Sequence, residues 1–399
     1  MPSPSNTFAP TGNVATTSLS KIPILNKRSK IVVIGAGAFG GWTSLSLLRN
    51  GFDVTLVDAW GAGNSRSSSG DETRVIRSTY GANETYFSLN VRALELWKEN
   101  QKYFGRQLFY NTGALWMCYE EKTPLVDDSI PFAKKYGMEY DYLSREAMQK
   151  KFPAMNTEDL HHSYFDPFAG YLKARESCQA VLEAFRKEGG TFVQQFVIPG
   201  KIVHEKLQSI ELSNGEALSP DLYVFACGPW LGQLFPDVLG NTITCSKQEA
   251  YYFGVPKHLT ETFDQLPVWI DVDGVDFYYG IPGNANRGFK IGVDQRGEVF
   301  DPTHGERIHN PDVLSRARKF IGHRFPALRD APLLENRVCP YENSPDGNFV
   351  FDRHPEAANV LFLGGGSGHG FKHGPALGEL VADVIAGNRT APQLFSLLK

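Results

Sequence analysis

Residues 30–40 form the stretch KIVVIGAGAFG, and its pattern decides the fold of the region that it opens. The β-branched run Lys30–Ile34 is typical of a buried parallel strand, and glycines follow it at once. Apolar residues then recur every three positions, as on one face of a helix, at Phe39, Trp42, Leu45 and Leu48. Phe52–Val57 predicts a second strand that ends at Asp58. The stretch therefore predicts a βαβ unit.

The glycines Gly35, Gly37 and Gly40 satisfy the spacing G-x-G-x-x-G of dinucleotide-binding proteins. In that motif the first glycine permits a tight turn, the second lets the backbone approach a pyrophosphate, and the third lets helix and strand pack closely. The helix N-terminus favours negative charge, and Asp58, 18 residues after Gly40, offers a carboxylate to a ribose. A purely structural glycine turn is the alternative. The pattern favours a dinucleotide site without distinguishing FAD from NAD.

Composition limits the class of protein. The 399 residues suffice for two or three domains, because a domain holds roughly 100–200 residues. A net charge of −4 gives no broad basic face, so no nucleic-acid partner is expected, and no run of 18 apolar residues predicts a membrane span. The five cysteines include no CxxC pair, which argues against a metal site and fits a reducing cytoplasm. Residues 1–27 are expected to form a disordered tail rather than a targeting segment.

A second glycine-rich junction lies near the other end of the chain. Val360–Leu363 is strand-like, Gly364–Gly370 follows it, and a helix is predicted over Pro375–Ala386. Because ligands of open α/β sheets sit outside the carboxyl ends of strands, one sheet that uses both junctions would form a discontinuous nucleotide domain. We expect an α/β protein with an α+β two-domain organisation. The expected ranges are a Rossmann-like domain over residues 28–100, 155–235 and 335–399, and a β-rich substrate domain over residues 101–154 and 236–334.

Other elements are predicted from periodicity. Glu84–Asn100 and Ala174–Lys187 have the pattern of amphipathic helices, and Leu222–Ala226 has that of a buried strand. Val275–Ile281 and Gly288–Val293 alternate around a longer loop, which predicts a β-hairpin.

Four stretches, which follow a fixed order between residues 30 and 390, resemble the monomeric sarcosine oxidase family of flavin amine oxidases. They are the βαβ unit, Ser69–Gly81 (SGDETRVIRSTYG, with one residue more than the GDTRxxRxxYG of the family), Gly288–Gly292 (GFKIG), and Cys339-Pro340-Tyr341 with Asp352–Pro355 (DRHP) and Ser367–Lys372 (SGHGFK). The resemblance implies a Rossmann-like FAD-binding domain. It also implies an enzyme that oxidises a C–N bond beside a secondary amine, often in an N-methyl or cyclic amino acid. In that family oxygen reoxidises the flavin and releases hydrogen peroxide.

The resemblance also assigns residues to the cofactor. The implied FAD-binding positions are Gly35, Gly37, Phe39, Gly40, Asp58, Val197, Cys339 and Gly368. Cys339 matches the family cysteine that bonds the flavin ring as a thioether, and a structural buried cysteine is the alternative. Because a thiolate is the attacking species, nearby cations would help, and Arg337 and Arg353 are neighbours in the sequence.

Four positions are implied for the substrate, namely Arg77, Lys372, Tyr279 and Asp294. Arg77 and Lys372 match the carboxylate anchors of the family, and an arginine fork suits a carboxylate, although both residues would otherwise be ordinary surface cations. Tyr279 matches a substrate-site tyrosine, with a core aromatic of the hairpin as the alternative. Asp294 is a departure, because the sarcosine oxidases usually carry a histidine four residues after the lysine that Lys290 matches. Its alternatives are pairing with Lys290 or capping a turn.

The resemblance implies three catalytic positions, namely Lys290, Arg74 and His369. Alternation gives the strand of Lys290 one apolar and one polar face, and a polar face can simply meet solvent. The resemblance places Lys290 over the flavin instead, where a fixed cation stabilises developing superoxide. Arg74 matches an arginine that stabilises the flavin region. His369 matches a histidine beside the flavin, with a hydrogen-bonded buried histidine as the alternative.

The resemblance implies an oxidase, expected to be a monomer, that acts on a small-molecule amine or amino acid and uses molecular oxygen. One alternative is an FAD-dependent dehydrogenase that passes electrons to a quinone or a carrier protein, and Lys290 argues against it because the family lysine serves oxygen. Another alternative is a flavin-binding protein without catalysis, which the carboxylate anchors Arg77 and Lys372 disfavour.

Overall fold

The computed structural model describes residues 25–272, 277–283 and 287–397. Residues 1–24 of the predicted tail lie outside the described residues, as do residues 273–276, which include the predicted start of the hairpin at Val275, and residues 284–286 at its tip. Among the residues that it describes, no helix combines the length and the hydropathy that a membrane span needs. Within the same ranges, no three His, Cys, Asp or Glu side chains are grouped as ligands of a metal ion.

Most of the strands are short. In chain order they are β1 (Lys30–Ile34), β2 (Asp53–Asp58), β3 (Thr73–Ile76), β4 (Phe109–Tyr110), β5 (Ala114–Cys118), β6 (Asp141–Ser144), β7 (His162–Asp166), β8 (Gly170–Lys173), β9 (Thr191–Gln194), β10 (Val197–Pro199), β11 (Ile202–Val203), β12 (Lys206–Leu207), β13 (Ile210–Leu212), β14 (Ala217–Leu218), β15 (Leu222–Phe225), β16 (Thr244–Phe253), β17 (Val268–Asp271), β18 (Tyr278–Ile281), β19 (Phe289–Val293), β20 (Leu333–Asn343), β21 (Val350–His354) and β22 (Ala357–Gly364).

The helices vary from one turn to six. In chain order they are α1 (Ala38–Arg49), α2 (Glu84–Phe104), α3 (Pro124–Asp127), α4 (Ile130–Lys135), α5 (Arg145–Lys151), α6 (Ala174–Lys187), α7 (Leu231–Leu234), α8 (Pro236–Leu239), α9 (Thr260–Asp264), α10 (Pro311–Arg324) and α11 (Gly374–Ile385). The two helices predicted from periodicity are confirmed as α2 and α6. Helix α2 continues past the predicted end to Phe104, where Gly105 supplies the left-handed residue that ends it.

A six-stranded sheet has the order β21-β22-β15-β1-β2-β9. It is parallel except for β21, and β1 lies in its interior between β15 and β2. Gly35 follows β1 with a φ of 108°, and a side chain there would collide with the carbonyl oxygen of Ala226. A side chain at Gly40 would likewise collide with the carbonyl oxygen of Gly35. The predicted βαβ unit is confirmed, and its glycines are required by close backbone approaches.

An eight-stranded sheet has the order β20-β16-β19-β18-β17-β5-β7-β6. It is antiparallel apart from the pair β17 and β5, and it contains the predicted hairpin as β18 and β19. A three-stranded sheet of β3, β8 and β4 and two small sheets, one of β10, β13 and β14 and one of β11 and β12, complete the pairing among the described residues. The predicted fold class is confirmed, because a Rossmann-like parallel sheet is combined with a region rich in antiparallel sheet.

Strand β7 and most of β20 belong to the eight-stranded sheet, although they lie in ranges that we predict for the nucleotide domain. Strand β7 falls within residues 155–235, yet it pairs with β5, and β20 extends to Asn343 while pairing along its length with β16. These partners are distant in the sequence, so local composition does not reveal them. The exact domain boundaries stay a prediction.

Candidate active site

The carboxyl ends of four parallel strands surround a long cavity. Strands β1, β2, β15 and β22 end at Ile34, Asp58, Phe225 and Gly364. The predicted cofactor positions that line this cavity are Gly35, Gly37, Phe39, Asp58, Val197 and Gly368. Gly40 packs instead beneath the turn at Gly35, and Cys339 contacts Arg74, which lines the cavity. The cavity lies where open α/β sheets bind their ligands.

Asp58 is fixed at the wall of this cavity by backbone amides. Its Oδ2 accepts a hydrogen bond from Ala36 N at 2.7 Å, and its Oδ1 accepts from Trp60 N at 2.8 Å and Gly61 N at 2.7 Å. Burial raises the pKa of Asp58, and the three amides oppose that increase. The rings of Trp60 and Trp230, whose centroids are 4.8 Å apart, line the same cavity. A carboxylate for a ribose, a helix N-terminus for a pyrophosphate and an aromatic surface for a base fit a dinucleotide.

A second, smaller cavity adjoins the first. The residues that line it are Arg74, Val75, Arg77, Ile270, Phe277, Tyr279, Asp294, Tyr341, Gly368, His369, Phe371 and Lys372. Arg74, Tyr341, Gly368 and Phe371 line both cavities. The structure therefore brings all four predicted substrate positions together, on a cavity next to that of the predicted cofactor.

Arg77 and Lys372 give this cavity two cations. The Arg77 guanidinium lies 4.3 Å from the ring centroid of Tyr80, and Lys372 Nζ donates a hydrogen bond to the His369 carbonyl oxygen at 2.7 Å. Lys372 is 4% exposed, so it is not an ordinary surface lysine. Burial lowers the pKa of Lys372 far below its ordinary value, the charge of Arg77 lowers it further, and Asp294 acts against both. A bound carboxylate would stabilise both cations.

Asp294 lines the same cavity and is exposed to it. Burial in the surrounding protein raises the pKa of Asp294 to about 6, against the hydrogen bond with Tyr341 and the charges of Arg77 and Lys372. Solvent in the open cavity reduces this increase, and a ligand that displaces the solvent would strengthen it. A side chain at Gly368 would crowd both Tyr341 and Asp294, so glycine keeps this wall of the cavity open.

Lys290, Arg74 and Asp71 form a buried cluster beside the two cavities. Lys290 Nζ is ion-paired with Asp71 Oδ2, which also lies 2.8 Å from Arg74 Nη1. Lys290 is 1% exposed, so the polar face of β19 does not meet solvent. Sequence reasoning missed Asp71, although it lies within the stretch SGDETR that carries the family resemblance. Tyr341, whose only signal is its place after Cys339-Pro340, was missed in the same way.

His369 has a partner at each ring nitrogen. Its Nε2 lies 2.9 Å from the Gly347 carbonyl oxygen, and its Nδ1 lies 3.2 Å from the Tyr80 hydroxyl. The carbonyl can only accept, so Nε2 carries the proton and Nδ1 accepts from Tyr80. Burial, together with the charge of Lys372, lowers the pKa of His369 to about 3, so the ring is neutral at physiological pH. These contacts match a hydrogen-bonded buried histidine that lines the cavity, and the catalytic role stays a prediction.

Cys339 lies beside the buried cluster of Lys290, Arg74 and Asp71. Its Sγ is 3.7 Å from Arg74 Nη2. Burial and the charge of Asp71 raise the pKa of the thiol above its ordinary value, while Arg74 and Lys290 act to lower it. Of the two arginines suggested by the sequence, Arg337 pairs with Glu335, and Arg353 lies on β21 of the six-stranded sheet. The cation at Cys339 is therefore Arg74, which is 265 positions away in the sequence.

A Rossmann-like sheet whose dinucleotide cavity adjoins a small polar cavity defines the class as a dinucleotide-dependent oxidoreductase. The sequence profile of the FAD dependent oxidoreductase family matches residues 30–384, and the chain belongs to that family. The protein is accordingly an enzyme, and its dinucleotide is FAD rather than NAD.

Comparison with individual proteins refines this result. The chain is 26% identical over 363 residues to monomeric sarcosine oxidase from Bacillus sp. (strain B-0618), covering 90% of this chain and 93% of the relative. It is 24% identical over 374 residues to N-methyl-L-tryptophan oxidase from Yersinia pestis (strain Pestoides F), covering 92% and 98%. Its fold is similar to that of L-proline dehydrogenase from P. horikoshii, with a TM-score of 0.80 at 22% identity over 94% of this chain and 98% of the other. The resemblance to monomeric sarcosine oxidases is confirmed.

Proposed function

We propose that the enzyme oxidises the C–N bond of a secondary-amine or cyclic amino acid to an imine and passes the electrons to oxygen, giving hydrogen peroxide. The observation that carries this proposal is the cavity where Arg77 and Lys372 meet Asp294, next to the FAD cavity. Two cations suit a carboxylate, and a carboxylate suits an amine or a hydroxyl. The names of the two relatives, sarcosine oxidase and N-methyl-L-tryptophan oxidase, support an N-substituted amino acid.

The residues of the chain are proposed to orient the substrate. Arg77 and Lys372 hold the carboxylate, which directs the α-carbon towards the wall formed by Tyr341 and Gly368 that both cavities share. When bound, FAD supplies the acceptor for the hydride that leaves the α-carbon. The C–H bond breaks, the C=N bond forms and the amine loses its proton, so the substrate gives up two electrons and two hydrogens. Oxygen takes up both and becomes hydrogen peroxide.

Lys290 is proposed to serve the oxygen step. Its ammonium is buried beside Arg74, which lines both cavities. A cation that is already in place in a site poor in water stabilises negative charge as it develops on oxygen, without reorganisation. This role needs only the charge and position of Lys290.

The reaction is tested by an aerobic peroxide assay over a panel of secondary and cyclic amino acids, including sarcosine, pipecolate, proline, N-methyltryptophan and glycated amino acids. We expect one group of these to release one peroxide per imine formed. Anaerobic mixing with the same compounds is expected to bleach the flavin. If no compound bleaches it, the protein binds flavin without this catalysis.

A dehydrogenase that uses a quinone or a carrier protein is the second candidate. The ion pair of Lys290 with Asp71 favours it, because a paired cation attracts a developing anion less strongly. The similar fold of L-proline dehydrogenase is compatible with either acceptor. Turnover with dye acceptors in air and in nitrogen distinguishes the two, since an oxidase turns over without dye only in air.

We also propose that the enzyme is a monomer, as the name of the relative monomeric sarcosine oxidase states for that protein. Sedimentation velocity over a range of concentrations tests this, and a concentration-dependent dimer would contradict it.

FAD is expected to be bonded covalently to Cys339, whose thiol lies beside the Arg74 cation. With FAD bound, an S–C bond would form as the thiol gives up a proton and the ring methyl group the equivalent of a hydride, and oxygen would take up both as hydrogen peroxide. Denatured wild-type protein should stay yellow and fluoresce on a gel, whereas Cys339→Ala should release all its flavin in acid. Cys227→Ala is the matched control, because Cys227 lines the FAD cavity yet is not expected to form the bond. Flavin that acid releases completely from wild type would contradict the link.

Sarcosine is expected to be a poorer substrate than a larger or cyclic amino acid. Ionised Asp294 disfavours a second carboxylate and favours an extra amine or hydroxyl on the substrate. It also keeps the reacting amine protonated, which opposes hydride loss. We expect Asp294→His to shift the ratio of kcat/KM values towards sarcosine by roughly tenfold, about the effect of one charged hydrogen bond.

The pH dependence provides a second measurement of Asp294. Because burial raises the pKa of Asp294 and solvent in the open cavity limits the increase, the wild-type profile of kcat/KM should contain an ionisation between the ordinary pKa of an aspartate and about 6, and Asp294→Asn should lack it. Glu298→Gln removes an exposed carboxylate on the same segment and is the control. A wild type that prefers sarcosine, or an Asp294 exchange that changes neither preference nor profile, would show that Asp294 does not set specificity.

A further inference from the structure

The carboxylate of Asp71 is buried against Lys290. Besides its ion pairs with Lys290 and Arg74, Asp71 accepts a hydrogen bond on Oδ1 from the Tyr252 hydroxyl at 3.0 Å. The side chains of Asp71 and Lys290 are each 1% exposed. We propose that Asp71 is a positioning residue, which holds the Lys290 ammonium charged and at a fixed place for the reaction with oxygen. This inference rests on the proposed oxidase function.

Three acceptor atoms surround the Lys290 ammonium. Nζ donates to Asp71 Oδ2, to the Thr73 carbonyl oxygen at 3.0 Å and to Thr73 Oγ1 at 3.4 Å. An ammonium has three donors, and these three contacts use all of them. Lys290 therefore acts on oxygen through its charge, not through a donated hydrogen bond. Asp71, as the only anion among these partners, is the contact that fixes the charge.

The balance of charge explains why the carboxylate is needed. The charged and titratable groups that face Lys290 are Asp71, Arg74, Cys339 and the phenol of Tyr252, whose ring centroid lies 5.6 Å from Nζ. Burial lowers the pKa of Lys290, the charge of Asp71 opposes this, and the charge of Arg74 adds to it. Burial acts to raise the pKa of Asp71, but Lys290 and Arg74 outweigh it and hold this pKa well below its ordinary value. Without Asp71, two cations would remain side by side, and Lys290 would lose its proton at a lower pH.

The extra residue of the stretch SGDETR provides a matched control. Because of this extra residue, two acidic residues, Asp71 and Glu72, follow each other, and their surroundings in the structure differ. Asp71 is buried against Lys290, whereas Glu72 is half-buried and lies 3.5 Å from Arg287 Nη2. Glu72→Gln therefore removes the same charge, one residue away, without touching the cluster.

The first experiment follows the reoxidation of substrate-reduced holoenzyme by oxygen in a stopped-flow instrument from pH 6 to pH 10. In wild type and Glu72→Gln, we expect the rate to fall only as pH approaches the upper end. In Asp71→Asn the fall should begin about one pH unit or more lower, because Lys290 is then neutral over that range. Asp71→Glu keeps the charge and should keep the wild-type profile even if altered packing lowers the rate. Flavin content and circular dichroism confirm folding. If Asp71→Asn does not fold, the profile of Asp71→Glu is compared with that of wild type, and a fall that begins at lower pH would contradict the inference.

The second experiment detects the proton on Lys290 without oxygen. An unfolded lysine has a pKa of about 10.4, and in Asp71→Asn the folded value is lower, so the unfolded state binds more protons between the two values and stability rises with pH there. The denaturant midpoint of Asp71→Asn should therefore rise with pH relative to that of Asp71→Asn/Lys290→Met, which lacks the group.

The two experiments separate the possible failures. If Lys290→Met reoxidises like wild type, the oxygen role in the proposed function is wrong, and the stability measurement still tests whether Asp71 keeps Lys290 charged. The inference about Asp71 is overturned by either of two results. One is a pH profile of Asp71→Asn that matches that of Glu72→Gln. The other is a denaturant midpoint that changes with pH equally in Asp71→Asn and in Asp71→Asn/Lys290→Met.

Discussion

Lys290→Met is expected to slow reoxidation of the reduced enzyme by oxygen roughly 10²–10³-fold, the range for removing one preorganised group that stabilises developing charge. Reduction by substrate should change little, because Arg77 and Lys372 still hold the carboxylate. Methionine has a similar length without the charge. The measurement is a pair of stopped-flow traces, one for anaerobic reduction and one for mixing with oxygen.

The control for this variant is Lys257→Met, since Lys257 is exposed on a short helical turn after β16. It should reoxidise at the wild-type rate. Equal slowing of both half-reactions would indicate a disturbed site rather than a lost charge. Unchanged oxygen reactivity in Lys290→Met would exclude the proposed role.

Arg77→Met is expected to lower kcat/KM for amino acid substrates roughly 30-fold or more, because removing one partner of a buried charge pair costs about 2–5 kcal/mol. The loss should appear mainly in KM. It should nearly vanish for the matching amine without a carboxylate, which wild type itself binds weakly. Arg106→Met, which removes an exposed arginine that is paired with Glu183, is the control. An equal loss for substrates with and without the carboxylate would contradict the role of Arg77.

The same variant has a predictable effect on pH dependence. Burial is the main cause of the lowered pKa of Lys372, and the charge of Arg77 lowers it further. A lysine with a lowered pKa loses its charge, and with it carboxylate binding, as pH rises through that pKa. In Arg77→Met the pKa of Lys372 should increase, so the remaining carboxylate binding should persist to higher pH than in wild type. If carboxylate binding by Arg77→Met were lost at a lower pH than in wild type, the coupling of Arg77 and Lys372 would be contradicted.

Local patterns were sufficient to predict the elements that form the FAD cavity. The alternation of strand and helix around Gly35 and Gly40 depends on neighbours within a few residues, and the structure confirms it. Helix α6 has the predicted bounds because its apolar face and its end at Gly189-Gly190 are both encoded locally. Family resemblance added the substrate positions, which the structure brings to one cavity.

Contacts between distant residues could not be predicted in this way. Asp71 and Lys290 are 219 positions apart, and nothing near either residue specifies the other. The face of β19 that carries Lys290 looks solvent-exposed from its alternation, but the cluster with Asp71 and Arg74 covers it. The same limitation explains why Arg337 and Arg353 were considered beside Cys339, where the fold places Arg74.

The position of β1 inside its sheet has a consequence for synthesis on the ribosome. Lys30 N bonds to the Asp221 side chain 191 positions later, where β15 begins, and the next strand, β22, starts only at Ala357. At a translation rate of roughly 5–20 residues per second, one edge of β1 stays unpaired for about 10–40 seconds, until β15 has been synthesised. During that time an apolar strand edge can pair with other nascent chains. Codons that speed translation between β1 and β15, or chaperones that cover the exposed edge of β1, should therefore raise the yield of soluble enzyme.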